Sequence, residues 1–284
     1  MSERLDDALR AAIATAASAA PPRLGHALHY AVFPGGARVR PLLCLAVAEA
    51  CGDSAPALST AAAASIEFLH CASLVHDDLP CFDNAPLRRG KPSVHRAFGE
   101  PLAVLTGDAL IVMAFETLGR AAGEAPARLA PMLIALAQSV GAPHGLVAGQ
   151  AWESEPAAPL EVYHQAKTGA LFTAATQMGA LAAGSNPAPW RQMGEALGSA
   201  YQVADDLFDA VSTDASKPTQ RDAALNRPNA VARLGLETAL ARLDRLVGQA
   251  LDSIPSCPGR DPLAALIQHI ARRLVPEPLR QSAA

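Results

Sequence analysis

The chain has 284 residues, half of them apolar, 18% charged and 4% aromatic. That composition excludes a disordered or solvating chain, and the length suffices for one large core, so we expect a single domain over residues 1–284. A net charge of -4 and a pI near 6.1 exclude the broad basic footprint of a nucleic-acid binder.

The N-terminus reads Met1-Ser2-Glu3-Arg4-Leu5-Asp6-Asp7, with acids where a targeting segment carries basic residues, so a cytoplasmic location is expected. Alanine-rich apolar segments at helical spacing follow, and runs of β-branched and aromatic residues are scarce. The pattern predicts an all-α fold of about ten helices, separated by breaks such as Pro21-Pro22, Pro34-Gly35-Gly36, Gly90-Lys91-Pro92 and Gly184 to Pro189. The longest uninterrupted apolar stretches, Pro41 to Ala48 and Leu129 to Ala137, fall short of the roughly 18 residues of a membrane span. Five cysteines, odd in number and without a CxxC pair, predict reduced and packed thiols.

Ser59 to Leu79 reads as one apolar helix, capped by Ser59 or Thr60 and ended by Pro80. At its end stand Asp77, Asp78 and Asp83. A second acidic helix carries Gln202, Asp205, Asp206 and Asp209 at i, i+3, i+4 and i+7, on one face. Like charges one turn apart destabilise an isolated helix by roughly 0.2–0.5 kcal/mol per pair, which calls for a compensating cation. Magnesium suits the donors, being hard, oxygen-seeking and accustomed to completing its shell with water and phosphate. The short basic island Arg88-Arg89-Gly90-Lys91 follows the first acidic cluster, and Lys217 follows the second within the long polar stretch Ser212 to Asn229. Guanidinium forks and ammonium groups there suit the outer oxygens of a diphosphate.

These residues resemble the trans-isoprenyl diphosphate synthases, the polyprenyl synthetase family, over nearly the whole chain. The likeness runs in order through Gly35-Gly36-Ala37-Arg38-Val39-Arg40-Pro41, His70, Asp77-Asp78 with Asp83, Arg88-Arg89-Gly90, Gly107-Asp108 and Gly149-Gln150. It continues through Lys167-Thr168-Gly169, Gln202 with Asp205, Asp206 and Asp209, and Lys217 with Asp222. The resemblance implies an isoprenoid-synthase-type helical bundle around a deep central cavity, with the two aspartate motifs facing each other, usually in a homodimer. It implies ionisation of an allylic diphosphate, attack by isopentenyl diphosphate on the cation, and loss of a proton. By that likeness Asp77, Asp78, Asp83, Asp205, Asp206 and Asp209 would hold Mg²⁺, three ions with the allylic diphosphate. Arg88, Lys167 and Lys217 would grip that diphosphate, Arg38, Arg40, His70 and Arg89 would hold isopentenyl diphosphate, and the oxygens of Thr168 and Gln202 would lie near the developing cation. Departures from the family pattern are Ala37 for Lys, Ala85 and Pro86 for acids, Glu153 for Asp, and Arg227 for Lys.

Product length is expected to depend on the helix before Asp77. Ser73 and Ala72 stand four and five residues upstream, roughly 6 to 7.5 Å along the helix. Both are small, which is similar to the open arrangement of twenty-carbon enzymes, and Phe68 one turn further would be the floor. The stretch looks most like the geranylgeranyl diphosphate synthases of bacterial carotenoid pathways. Alternatives are a farnesyl diphosphate synthase, a terpene cyclase, against which the scarcity of aromatic residues counts, and a non-catalytic prenyltransferase subunit, against which the intact aspartate sets count.

Overall fold

The computed structural model describes residues 1–33, 36–157, 159–211, 231 and 235–275, with the side chains of Glu124, Leu160, Asp209 and Val211 outside the described set. Lys217, Arg221, Asp222 and Arg227 also lie outside the described residues. Chain contacts divide the protein into two compact units. The first comprises Met1–Leu136 with Met178–Asn186, and the second Ala137–Gln177 with Pro187–Ala284. Among the described residues the all-α expectation holds apart from one small hairpin.

In the first unit α1 (Ser2–Ala17), α2 (Pro22–Val32) and α3 (Val39–Ala50) surround α4 (Pro56–Asp77), which packs most extensively on α6 (Glu100–Ala121). The run Ala61 to Ala64 is buried, and these small side chains let neighbouring backbones come close. The Ser65 hydroxyl donates to the Ala114 carbonyl of α6 at 2.7 Å. α4 begins at Pro56, three residues before the expected cap, because proline is suited to the first helical position, where its missing N–H leaves no bond unmade. Ser59 is instead buried within the first turns, bonded to Asp53 at 2.9 Å. The helix ends at Asp77, before Pro80, since the residue preceding a proline is pushed out of the helical region.

Between α4 and the short α5 (Val94–Phe98) lies an antiparallel hairpin, β1 (Leu87–Arg88) with β2 (Lys91–Pro92), that composition did not predict. Its two-residue loop is Arg89-Gly90 with φ of 54° and 76°, the pair of left-handed residues that matches the twist of a tight hairpin. Glycine supplies one of them freely and Arg89 takes the other at a steric cost.

α7 (Pro126–Val140) and α10 (Ala170–Ala182) each cross the division between the units. The second unit adds α8 (Leu146–Ala151), α9 (Leu160–His164), a π-turn over Gln165–Gly169, α11 (Arg191–Val211), α12 (Leu236–Asp252) and α13 (Arg260–Leu274). Its core joins Ala200, Val203, Ala204 and Leu207 of α11 to Ala239, Leu243 and Leu246 of α12 and Leu274 of α13.

Among the described residues two helices, α4 and α6, are long and apolar enough on average to span a membrane, although no uninterrupted apolar stretch of the sequence is. A windowed average tolerates the scattered polar residues that break such a stretch. α4 is mostly buried inside its own unit, which accounts for its hydropathy; α6 is buried over less than half of its apolar window and exposes Val104, Leu105 and Val112.

Candidate active site

In the first unit the chain leaves α4 and folds back on its end. Asp83 N–H donates to the Asp77 carbonyl at 2.9 Å and Ala85 N–H to the Asp78 carbonyl at 3.1 Å, so all three aspartates sit on one short knot of backbone. Asp78 is 2% exposed. Burial raises its carboxyl above the ordinary range, and the Arg88 fork opposes the rise. Arg88 reaches across from β1, its Nε 3.1 and 3.2 Å from the two Asp78 oxygens, with a second ion pair to Asp77 at 4.0 Å. A buried carboxylate that is costly to keep charged, joined by further oxygen donors on one loop, fits a hard divalent cation.

His76, next to Asp77, lays its ring on Gly107 of α6, where a Cβ would overlap it. Its Nε2–H donates to the Val104 carbonyl at 3.2 Å, and the ring stands 3.7 Å from Asp108 Oδ1. The Gly107-Asp108 pair therefore steadies the helix end that carries the first aspartates.

Basic groups gather around His70. Burial, then Arg40, Arg89, Arg88 and Arg38, hold its imidazole well below the ordinary value, so it is neutral at pH 7. The Arg89 guanidinium lies against Gly36, where a Cβ would come 2.5 Å from it. Arg40, Arg89 and His70, expected to serve one diphosphate, are thus brought together. Arg38 behaves differently. It caps α3 at φ 49°, is only 9% exposed, donates to the Val32 carbonyl at 2.7 Å and forms a buried ion pair with Glu67. Its two intramolecular partners make it part of the interior, where a substrate-gripping arginine was expected. Glu67, an acid 1% exposed amid Ala61 to Leu69, was missed by sequence reasoning although a single carboxylate in an apolar run calls for a buried cation.

Ala72 and Phe68 are both buried on α4, and Ser73 is half-buried with its hydroxyl donating to the His70 carbonyl at 2.8 Å.

In the second unit the π-turn carries Lys167 and Thr168, an irregularity often found where side chains are re-aimed for function. Thr168 Oγ1 donates to Gln202 Oε1 at 2.7 Å, and Gln202 Nε2 donates to Asp206 Oδ1 at 3.1 Å. Asp206 is 5% exposed and Asp205 faces outward; Asp209 follows on the same helix. Gln202 and Asp206 line an open groove of about 830 Å³ with Gln165, Ser199, Arg242 and Leu246. Lys167 pairs with Glu153, which also accepts the Tyr163 hydroxyl.

Residues 21–257 match the family described as "Polyprenyl synthetase". The chain is 56% identical over 277 residues to "Geranylgeranyl diphosphate synthase" of Cereibacter sphaeroides, covering 96% of each chain. It is 51% identical over 281 residues to the protein of the same description in Rhodobacter capsulatus, covering 98% of this chain and 97% of that one. Its fold is similar to the crystal structure of an FPP/GFPP synthase from Zymomonas mobilis, with TM-score 0.79 and 32% identity over 94% of this chain and 97% of that one.

Proposed function

Since the chain belongs to the polyprenyl synthetase family, we propose that it is a trans-prenyltransferase making geranylgeranyl diphosphate from isopentenyl diphosphate and an allylic diphosphate. The observation that carries this reading is the near-full-length identity with the Cereibacter protein. The same likeness leaves the cyclase and non-catalytic readings without support. The small residues Ala72 and Ser73 upstream of Asp77 favour a twenty-carbon product over a fifteen-carbon one.

In this reading Asp77, Asp78, Asp83, Asp205, Asp206 and Asp209 would hold Mg²⁺, three ions with the allylic diphosphate. Bound Mg²⁺ supplies Lewis-acid neutralisation of the departing diphosphate. Arg88, Lys167 and Lys217 would take its remaining oxygens, for which Arg88 would exchange its Asp78 partner for phosphate. Arg40, Arg89 and neutral His70 orient isopentenyl diphosphate, with Arg38 holding the backbone beside them through Glu67. The Thr168 hydroxyl and Gln202 amide oxygens, preorganised by their mutual bond, stand ready for positive charge on the allyl group. The C–O bond breaks with its electron pair leaving on diphosphate, the isopentenyl double bond attacks the cation, and the tertiary cation so formed on the isopentenyl unit passes a proton from its adjacent carbon to the released diphosphate, leaving the new double bond. Apolar walls along α4 exclude water and receive the growing tail at about 0.8 kcal/mol per buried methylene.

The family match runs unbroken across both compact units, which supports one prenyltransferase domain. Leu105 and Val112, 52% and 65% exposed one heptad apart on α6, offer an apolar stripe for a second copy of the chain, so we assign that helix to a homodimer interface instead of a bilayer. Five free thiols accord with a reducing cytoplasm, where a carotenoid pathway would use the product. Purified protein given isopentenyl and farnesyl diphosphates with Mg²⁺ is expected to form a twenty-carbon diphosphate by chromatography. A product no longer than the primer refutes the reading.

A further inference from the structure

Glu153 is one methylene longer than the family's usual acid, and in the second unit it collects three donors. Its Oε1 accepts the Tyr163 hydroxyl at 2.7 Å and also the Lys167 ammonium, while its Oε2 accepts the Gln150 amide at 3.2 Å. Tyr163 is 8% exposed, and its ring centroid lies 5.9 Å from the same ammonium. Gly149 seats the pair: a Cβ there would come 2.5 Å from the Lys167 backbone nitrogen, so only glycine lets α8 approach the π-turn. A carboxylate in sole contact with an ammonium binds it strongly and competes with any incoming phosphate. Here the contacting oxygen is divided between a phenol and the ammonium, which weakens the claim of either.

We infer that Tyr163 is a positioning residue: by sharing Glu153 Oε1 it fixes where Lys167 points and loosens the carboxylate's hold on the ammonium, so that the ammonium can transfer to a diphosphate. The inference takes its substrate class, an allylic diphosphate, from the reading above. It involves no proton or bond rearrangement, only the distribution of one carboxylate among its donors.

Tyr163→Phe keeps the ring and its packing and removes the hydroxyl. Two measurements decide the role: Michaelis constants for farnesyl and isopentenyl diphosphates measured separately, and calorimetric binding of inorganic pyrophosphate with Mg²⁺, which needs no turnover. The expected result is a rise of about three- to tenfold in the farnesyl KM and the pyrophosphate Kd, the ratio that one hydrogen bond of ordinary net strength sets. The isopentenyl KM and melting temperature are expected to stay at wild-type values. Glu153→Gln, which removes the competing charge while keeping an acceptor oxygen, should make the Tyr163→Phe change silent. Overturning results are a Phe variant with unchanged farnesyl KM and pyrophosphate Kd, or one in which both KM values and the melting temperature move together, as a packing role would give. A wild-type protein that makes no prenyl diphosphate sinks the preceding section's reading, while the pyrophosphate titration still decides the role of Tyr163.

Discussion

Arg38→Met separates an interior arginine from one that grips substrate. Glu67 is 1% exposed and Arg38 9%, and the two form an ion pair whose guanidinium also holds the Val32 carbonyl. Removing one partner of such a pair strands the other charge and costs about 3–5 kcal/mol. That is a large part of the roughly 5–15 kcal/mol that stabilises an ordinary domain. At about 2–4 °C per kcal/mol for a chain of this size, the melting temperature should fall by roughly 6–20 °C. Cys71, whose thiol lies 3.7 Å from Glu67 Oε1, is too weak a donor to replace the arginine. The double variant Arg38→Met/Glu67→Leu removes both charges and should recover most of the loss, with the isopentenyl KM near the wild-type value. Thermal unfolding and steady-state kinetics on the three proteins check this. A single variant that melts with the wild type, or a stable double variant with a greatly raised isopentenyl KM, would refute the reasoning and return Arg38 to the substrate.

Ala72→Tyr, started from geranyl diphosphate, should accumulate fifteen-carbon product at the expense of twenty, with about 1–3 kcal/mol of destabilisation from crowding a buried position; chromatography and melting check both parts. His70 is held below its ordinary value in the fold and returns to about 6.5 when unfolded, so below that pH the unfolded chain binds a proton the folded one refuses. Stability is therefore fully present above pH 6.5 and falls with decreasing pH by at most about 1.4 kcal/mol per unit, a slope that His70→Gln should lack in denaturant titrations at pH 5.5 and 7. Gly149→Ala sets a Cβ 2.5 Å from Lys167 N and 2.6 Å from its Cα, neither of which is a movable side-chain end. It should lower kcat/KM by at least about tenfold, equivalent to ~1.4 kcal/mol, with little change in helix content by circular dichroism.

The aspartate motifs, the helix that carries each and the basic island were legible because their chemistry is carried by residue type and spacing. Direction was less so. Nothing in Gly36-Ala37-Arg38-Val39-Arg40 shows that Arg38 turns inward; only Glu67, 29 residues away in an apolar run, holds that information. Serine caps well, so the sequence points to Ser59 as the start of α4, yet Pro56 opens the helix and Ser59 bonds Asp53. The hairpin escaped because Arg89 takes a left-handed conformation that its type disfavours. The π-turn at Lys167 has no sequence period at all, being fixed by packing, with Gly169 against Gly198 and Lys167 against Gly149.

If the proposed site is right, carboxylates of both motifs and the Mg²⁺ they would hold are needed to draw diphosphate from an allylic carbon. Farnesyl diphosphate consumption with isopentenyl diphosphate, followed in Mg²⁺ and in chelator for the wild type, Asp78→Asn and Asp205→Asn, tests it most directly. Turnover is expected to vanish in chelator and return with Mg²⁺, and to fall by at least about a hundredfold in each variant. Equal rates with and without metal, or a variant in either motif that turns over like the wild type, would contradict it.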